Sequence, residues 1–191
     1  MKLSVYTAPT VEPVTLQELK NQARIDDNTD DSGLALYIKT ARETYELMTR
    51  RALCTRTYEL TLDNWPGGRR IRLPHPPLAS VTSISYTDED GAVATIDSGD
   101  YLVSTVTEPG EIVLRNGVSW PAVVLQEVDA ITIRYVAGYG GADDVPAGHR
   151  LAIRLLAAHY YENREATGIG NVSEIPLGLA YLRDIDRAGW F

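Results

Sequence analysis

The chain of 191 residues contains a single cysteine, Cys54, and a single phenylalanine, Phe191. One cysteine excludes an internal disulfide bond and any zinc site that needs several cysteines. No apolar run reaches the roughly 20 residues that a membrane-spanning helix requires, and the first ten residues are too short and too polar for a secretory signal. We therefore expect a protein made in a reducing cytoplasm, without a membrane segment.

Positive charge is also scarce. The chain has 18 Lys and Arg residues against 26 Asp and Glu residues, which gives a formal net charge of −8. Tight, nonspecific binding to DNA requires clustered basic side chains, so this balance argues against a protein that wraps DNA. It is compatible with DNA moving past the protein, because an acidic wall repels the phosphates rather than holding them.

Patterns typical of enzymes and metal sites are missing as well. There is no nucleophile elbow and no convincing phosphate-binding loop. The acidic loop Asp26–Asp31 fails as an EF-hand, because its sixth and twelfth positions hold Asp31 and Tyr37 instead of glycine and glutamate. We expect no catalytic residues, no metal and no cofactor, which favours a binding or structural protein over an enzyme.

The N-terminal third predicts two helices. Thr15 and Glu18 have the spacing of a capping box, in which each side chain accepts a hydrogen bond from a free backbone N–H at the helix start. A second helix is predicted from near Ser32 to Arg50. Its apolar positions recur at helical spacing and form one core stripe, namely Leu34, Ile38, Ala41, Tyr45 and Met48.

The middle of the chain changes to a two-residue period. From about Thr55 to Ala137, short alternating segments are separated by turns, and no helical pattern lies between them. The segment after Thr57 and the segment Ala130–Ala137 are the clearest strands. This spacing predicts an antiparallel sandwich or barrel.

A third helix is predicted at Val145–Ala166. Asp144 is placed to cap it, and Pro146 suits the first turn, where its missing N–H has no helical partner. The pattern predicts a broad apolar face, in which Leu151, Leu155 and Ala158 recur and Ala152, Leu156 and His159 or Tyr160 widen the stripe. The opposite face carries an arginine stripe, formed by Arg150, Arg154 and Arg164.

Together these elements predict an α+β fold: a small helical bundle, from N- and C-terminal helices, with an inserted antiparallel β domain. We predict three parts. Residues 1–54 form the N-terminal helical part, residues 55–140 the β-rich insertion, and residues 141–191 the C-terminal helix with a tail segment.

The order of elements and several phrases resemble the head–tail connector, or adaptor, proteins of tailed bacteriophages and prophages. The resemblance extends to about Leu182, and the end of the chain from Ala188 to Phe191 lies outside it. The matching phrases are EPVTL at 12–16, RID at 24–26, YELTLD at 58–63, LPHPPL at 73–78, SVTSI at 80–84, SWP at 119–121, AGYG at 137–140 and YENREA at 161–166.

The resemblance implies a structural protein of the virion neck, made in the bacterial host cytoplasm. Such adaptors form a ring, expected here to have twelve subunits in the virion, while the free protein can be a monomer. The ring docks on the portal protein, extends a channel through which DNA passes without specific binding, and receives the next neck or tail-completion protein. The C-terminal segment, here about Ile175 to Phe191, is the part expected to reach the portal.

A ring requires two different faces of each subunit to meet, and opposite charges suit such faces. We therefore expect the acidic loop and the arginine stripe to contact a neighbouring subunit or the portal. The full set of predicted partner-binding residues is Arg150, Arg154, Arg164, Asp26, Asp27, Asp30, Asp31, Ile175, Leu177, Leu182, Trp190 and Phe191. The alternative is a carbohydrate- or protein-binding β module of a phage tail or surface system, which would show an exposed aromatic patch on its β part.

Overall fold

A computed structural model describes residues 1–163 of the chain. These residues form two compact units, each treated separately below. Among the described residues, the β unit contains Met1–Pro9 and Thr55–Tyr139, and the helical unit contains Thr10–Cys54 and residues 140–163. The predicted α+β class, with helices on both sides of an antiparallel β region in the sequence, is confirmed. The exact division at 54/55 and 140/141 stays a prediction, and residues 1–9 lie in the β unit.

The helical unit contains three helices and one turn of 3₁₀ helix. The predicted capping box is present, because the Thr15 hydroxyl accepts a hydrogen bond from the Glu18 N–H at 3.2 Å and the Glu18 carboxylate accepts one from the Thr15 N–H at 2.8 Å. The elements are α1 (Leu16–Ala23), α2 (Asp31–Thr49), the 3₁₀ turn Ala142–Asp144 and α3 (Ala147–Glu162).

The core stripe predicted for α2 is confirmed. Leu34, Ile38, Ala41 and Tyr45 are buried, and Met48 at the end of the stripe is half-buried. Since α2 packs against both α1 and α3, this stripe forms the centre of the helical unit.

The predicted start of α3 is wrong in one respect. Asp144 does not cap this helix, which begins at Ala147 with Pro146 in the cap position. The Asp144 carboxylate instead accepts a hydrogen bond from the Gly141 N–H at 2.8 Å and closes the short 3₁₀ turn before the helix. An aspartate before a helix can satisfy either set of N–H groups, and the glycines upstream allow it to take the earlier one.

The predicted apolar face of α3 is confirmed at Ala152, Leu156 and Ala158 and corrected at two leucines. Leu151 is 38% exposed and Leu155 is half-buried. This helix has more apolar residues than one face requires, so spacing alone does not decide which of two overlapping stripes is buried, and the stripe around Ile153 is the one in the core. The buried residues of α3 are His149, Ala152, Ile153, Leu156, Ala157 and Ala158.

The β unit consists of two antiparallel sheets, in agreement with the prediction. The five-stranded sheet has the order β1-β2-β8-β4-β5 and the three-stranded sheet the order β3-β7-β6. Strands β2 to β8 all lie in the stretch from about Thr55 to Ala137 in which strands are predicted, whereas β1 lies outside it. The strands are β1 (Lys2–Thr7), β2 (Arg56–Leu62), β3 (Arg70–Arg72), β4 (Leu78–Thr87), β5 (Val93–Thr95), β6 (Tyr101–Ser104), β7 (Glu111–Leu114) and β8 (Ile131–Ala137).

The core of the β unit follows from the alternation in β8. Ile131, Ile133 and Tyr135 all point to one side and are fully buried, with β2 and β4 paired on either side. The Tyr135 hydroxyl donates to the Pro74 carbonyl at 2.8 Å, so its only polar atom is satisfied inside the core. Burial raises the pKa of the Tyr135 phenol above its ordinary value, which keeps it neutral.

Candidate interaction surfaces

The strongest charge cluster of the helical unit is structural. Arg42 is 2% exposed, and its guanidinium donates to Glu12 at 2.7 Å and to Glu46 at 2.8 Å. Burial alone would lower the pKa of Arg42, but hydrogen bonds and charges from the two glutamates raise it above its ordinary value. Glu46 also accepts a hydrogen bond from the Leu53 N–H at 2.8 Å. This cluster was not predicted, although the i, i+4 spacing of Arg42 and Glu46 in the sequence is typical of an ion pair on a helix.

The first member of the predicted arginine stripe is already paired within the chain. The Arg150 guanidinium lies 2.6 Å from the Glu18 carboxylate and 3.5 Å from that of Asp143. Partial burial would raise the pKa of Glu18, but hydrogen bonds from Thr15 and the charge of Arg150 lower it below the ordinary value. Arg150 therefore connects α3 to the N-terminal turn of α1.

Arg154 differs from Arg150. It is half-buried, and its Nε–H is enclosed without a hydrogen-bond acceptor among the described residues. Because this atom has no exposed surface, its missing acceptor is a cost within the fold and does not mark a site for another molecule. Arg154 is the described member of the predicted stripe for which the structure shows no ion pair among the described residues, and for that reason it is kept as a candidate for a contact with a partner.

The predicted acidic loop makes contacts within the helical unit. The buried Lys20 ammonium lies 2.5 Å from Asp31 and donates to Asn28 at 2.6 Å. Asp30 accepts a hydrogen bond from the Tyr161 hydroxyl at 3.3 Å, so the loop is fastened to α3. The acidic loop, which was predicted to contact a neighbouring subunit or the portal, is thus connected to α3 of the same chain.

Asp26 and Asp27 remain exposed at the outer part of the loop. The Asp27 carboxylate accepts a hydrogen bond from the Thr29 N–H at 2.9 Å, which lowers the pKa of Asp27 below its ordinary value. Both carboxylates are available at the surface as anions. Six further predicted residues lie outside the described part of the chain, namely Arg164, Ile175, Leu177, Leu182, Trp190 and Phe191.

The β unit carries an aromatic cluster that the sequence analysis did not single out. The Trp65 and Trp120 rings stack with centroids 4.6 Å apart and planes within 3°, and Tyr86 meets Trp65 edge-on at 5.9 Å. The Trp120 N–H donates to the Gly68 carbonyl at 2.8 Å. Each tryptophan is half-buried and covers one face of the other, so much of the aromatic area is used inside the unit.

Across residues 1–163, no three side chains among His, Cys, Asp and Glu converge as metal ligands would. None of the helices in this range is both long and apolar enough to cross a bilayer.

Comparisons with known proteins separate the possible functions. The model of the phage gp6-like head–tail connector protein family matches residues 13–106. The whole chain also superposes on the neck protein of an empty gene transfer agent particle with a TM-score of 0.84 and 25% identity, covering 97% of that chain. The chain belongs to the phage head–tail connector family.

Two further neck and virion structures agree with this assignment of the fold. Chains from the virion of a native gene transfer agent, and from its neck computed with C12 symmetry, match this connector with TM-scores of 0.82 and 24% identity over 100% of its length. A comparison with curated proteins gave no match. The alternative of a carbohydrate- or protein-binding β module is not favoured by these findings.

Proposed function

We propose that this connector is a structural subunit of the virion neck, where it forms an adaptor ring between the portal of the DNA-filled head and the tail. One observation carries the proposal: the match to a neck protein extends over 100% of this chain and 97% of the other. Agreement over helices and sheets together supports a subunit of the same fold. Such a subunit suits a closed ring, since neighbouring copies can then repeat one heterologous contact.

The ring is proposed to dock on the portal protein and to receive the next neck or tail-completion protein on its other side. Twelve copies are proposed for the virion, and related necks have been computed with C6 and C12 symmetry. The segment from Ile175 to Phe191, with its two terminal aromatic residues, is proposed as the portal contact, because aromatic side chains are common anchors of interfaces.

The role is proposed to be mechanical rather than enzymatic, without a cofactor. The net charge of −8 favours DNA passing through the channel without being held. Binding of duplex DNA should therefore be undetectable near physiological salt, and a filter-binding titration over a range of salt concentrations measures it. Tight binding with a steep salt dependence would contradict the passive channel.

The acidic loop and the arginine stripe remain proposed contact surfaces, with Arg154 as the residue to test. Arg150 is a poor choice, because a variant there also breaks its contact with Glu18. The structure shows no hydrogen bond or ion pair of Arg154 among the described residues, so weaker docking of Arg154→Glu, with its fold checked by circular dichroism, would report on the partner. Lys39→Glu on the exposed side of α2 makes the same change in charge and serves as the control.

The deciding experiment is the solution mass of the purified protein by light scattering, alone and mixed with its cognate portal. A closed ring, or a monomer that joins the portal at a fixed stoichiometry, is the expected result. A monomer that ignores the portal at high concentration would overturn the proposed function.

A further inference from the structure

The two edges of the five-stranded sheet lie beside surfaces that differ in charge: one lies next to two arginines of β3, and the other leads into an acidic hairpin tip. In the order β1-β2-β8-β4-β5, β1 and β5 lie at the edges among the described strands, about 19 Å apart if neighbouring strands are separated by about 4.8 Å. Two edges of one sheet face in opposite directions. Such an arrangement is what a head-to-tail contact between identical copies requires.

The β1 side contains an apolar groove of about 570 Å³. Leu62 from β2, Ile71 from β3 and Pro66 from the turn between them line it, and Arg70 and Arg72 stand at its rim. The two arginines flank the buried Ile71 on β3, in the neighbouring three-stranded sheet, and both are exposed. Arg70 forms an ion pair with Glu111 of the same chain, so a partner's carboxylate would meet a guanidinium that already has one anionic neighbour. A segment that fits this groove should be apolar with carboxylates beside it.

The β5 side presents such a segment at the β4–β5 hairpin. Its tip carries Glu89 and Asp90, which are both exposed, and Val93 follows with 71% of its surface exposed. An apolar side chain next to two carboxylates matches an apolar groove next to two arginines, in both hydrophobicity and charge.

The hairpin tip is held in one conformation before any partner binds. The Asp88 carboxylate accepts hydrogen bonds from the N–H groups of Asp90 at 3.1 Å and Ala92 at 2.8 Å. The Glu89 N–H donates to the Val124 carbonyl at 3.1 Å, which fastens the tip to the following loop. A preorganised tip loses little conformational entropy when it docks.

We propose that the β4–β5 hairpin of one copy docks in the groove beside β1 of the next copy. Val93 enters the groove, and Glu89 and Asp90 face Arg70 and Arg72 of the neighbour. This inference rests on the proposed ring and identifies the surfaces through which its β units meet. Repetition of the contact around the ring uses every hairpin and every groove once.

Cysteine cross-linking tests the contact directly. Val93→Cys and Asn64→Cys place thiols on the hairpin and on the exposed rim of the groove, while the native Cys54 is fully buried. A short bis-maleimide applied to the portal-bound protein should then give a ladder of cross-linked species that ends at the ring. Each single variant should give no ladder.

The outcomes separate this inference from the proposed function. A ring by mass without a cross-linked ladder overturns the hairpin contact and leaves the adaptor function intact. The absence of any ring or portal binding in the unmodified protein overturns both. A single-cysteine variant that cross-links to a second protein, such as the portal, would show that this other protein occupies the groove. That result would also overturn the proposal.

Charge exchange provides a second test with a distinctive readout. Glu89→Lys with Asp90→Lys makes both edges basic, and Asn64→Glu with Arg72→Glu makes both edges acidic. Each variant alone should assemble roughly tenfold or more weakly, because like charges then meet at every contact. An equimolar mixture should recover rings with alternating copies, and native mass spectrometry counts the two kinds of subunit.

Two controls keep this test interpretable. Lys39→Glu makes the same change in charge as Arg72→Glu at an exposed position of α2 and should leave assembly unchanged. Asn64→Glu alone changes an exposed side chain for which the structure shows no hydrogen bond among the described residues, so its weaker assembly cannot be attributed to misfolding. Normal assembly of this single variant and of the hairpin variant would contradict the proposed contact.

Discussion

The helical unit and the β unit are stabilised in different ways. At the centre of the helical unit, Arg42 is buried between Glu12 and Glu46, and the buried His149 contacts the Tyr45 hydroxyl at 3.1 Å. The core of the β unit is formed by aliphatic and aromatic residues around β8, and its ion pairs Arg134–Glu59 and Arg70–Glu111 each include an arginine with an exposed side chain. The helical unit therefore depends on individual polar partners, and the β unit depends on apolar burial.

This difference has a consequence for the function of a connector. Buried polar contacts restrict the packing of short helices to one arrangement, because any other arrangement leaves charges without partners. An apolar sheet core tolerates variation at its surface more easily, since its stability does not depend on single side chains at the edges. The β unit is thus suited to present variable edges, such as the hairpin and the groove, to a neighbour.

The largest expected effect is on the free energy of unfolding, and it compares an arginine of the helical unit with one of the β unit. Arg42→Met leaves Glu46 buried beside an apolar side chain, and we expect it to lower the free energy of unfolding by about 3–5 kcal/mol. Arg134→Met in the β unit should have a much smaller effect, because the Arg134 side chain is 40% exposed. Urea unfolding followed by circular dichroism measures both. Equal losses for the two variants would remove the distinction between the units.

The second prediction addresses the apolar core of the β unit. Ile133→Ala leaves a cavity between β2 and β4, at a position with no exposed surface. We expect a loss of about 2–5 kcal/mol in the free energy of unfolding. Val128→Ala is the matched control, because Val128 is 64% exposed, and its effect should stay within about 0.5 kcal/mol. A small loss for Ile133→Ala would show that the core is not the main source of stability in this unit.

Much of the fold was predictable from local patterns. The capping box of α1, the stripe of α2 and the alternation in β8 each depend on neighbouring residues, so the sequence carries them directly. The buried face of α3 was predicted only in part, since the choice between Leu151 and Ile153 depends on what α3 packs against. The family was recognised from the order of phrases along the chain, which no single motif would have achieved.

Contacts between residues far apart in the sequence were harder to predict. Arg150 was predicted to contact another subunit, but it pairs with Glu18, 132 residues away in the sequence. The groove between β2 and β3 and the exposed edge of β5 follow from strand order, which the alternating pattern does not specify. Charge is visible in a sequence, but its partner is decided by the tertiary structure.

A third prediction concerns the entry to α3. Gly140 has a φ of +138°, a conformation that side chains rarely adopt, and an added Cβ would collide with the Asp144 carboxylate. Gly140→Ala should therefore lower the free energy of unfolding by about 1–3 kcal/mol. Gly67→Ala in the β unit is the control, because nothing lies within 4 Å of the position where its Cβ would be. Thermal unfolding followed by circular dichroism compares them, and an unchanged midpoint for Gly140→Ala would show that this turn can relax without cost.

The smallest expected effect is a dependence of stability on pH in the helical unit. Glu18 has a pKa below its ordinary value of 4.5, because hydrogen bonds from Thr15 and the charge of Arg150 outweigh the effect of burial. Its ionised form therefore contributes stability above the ordinary pKa, and this contribution is lost as the pH falls through the lowered pKa of the folded protein.

Glu18→Gln removes that contribution. The variant should be less stable than the unmodified protein at neutral pH, by about 1 kcal/mol, as is typical for loss of a helix cap. The difference should shrink as the pH falls below 4.5, the ordinary value for this carboxyl group. Free energies of unfolding measured across this range test the sign. Glu89→Gln, an exposed carboxylate at the β4–β5 hairpin, is the control. If the Glu18→Gln difference is independent of pH, the carboxylate acts through packing, and the polar character assigned to the helical unit would rest on Arg42 alone.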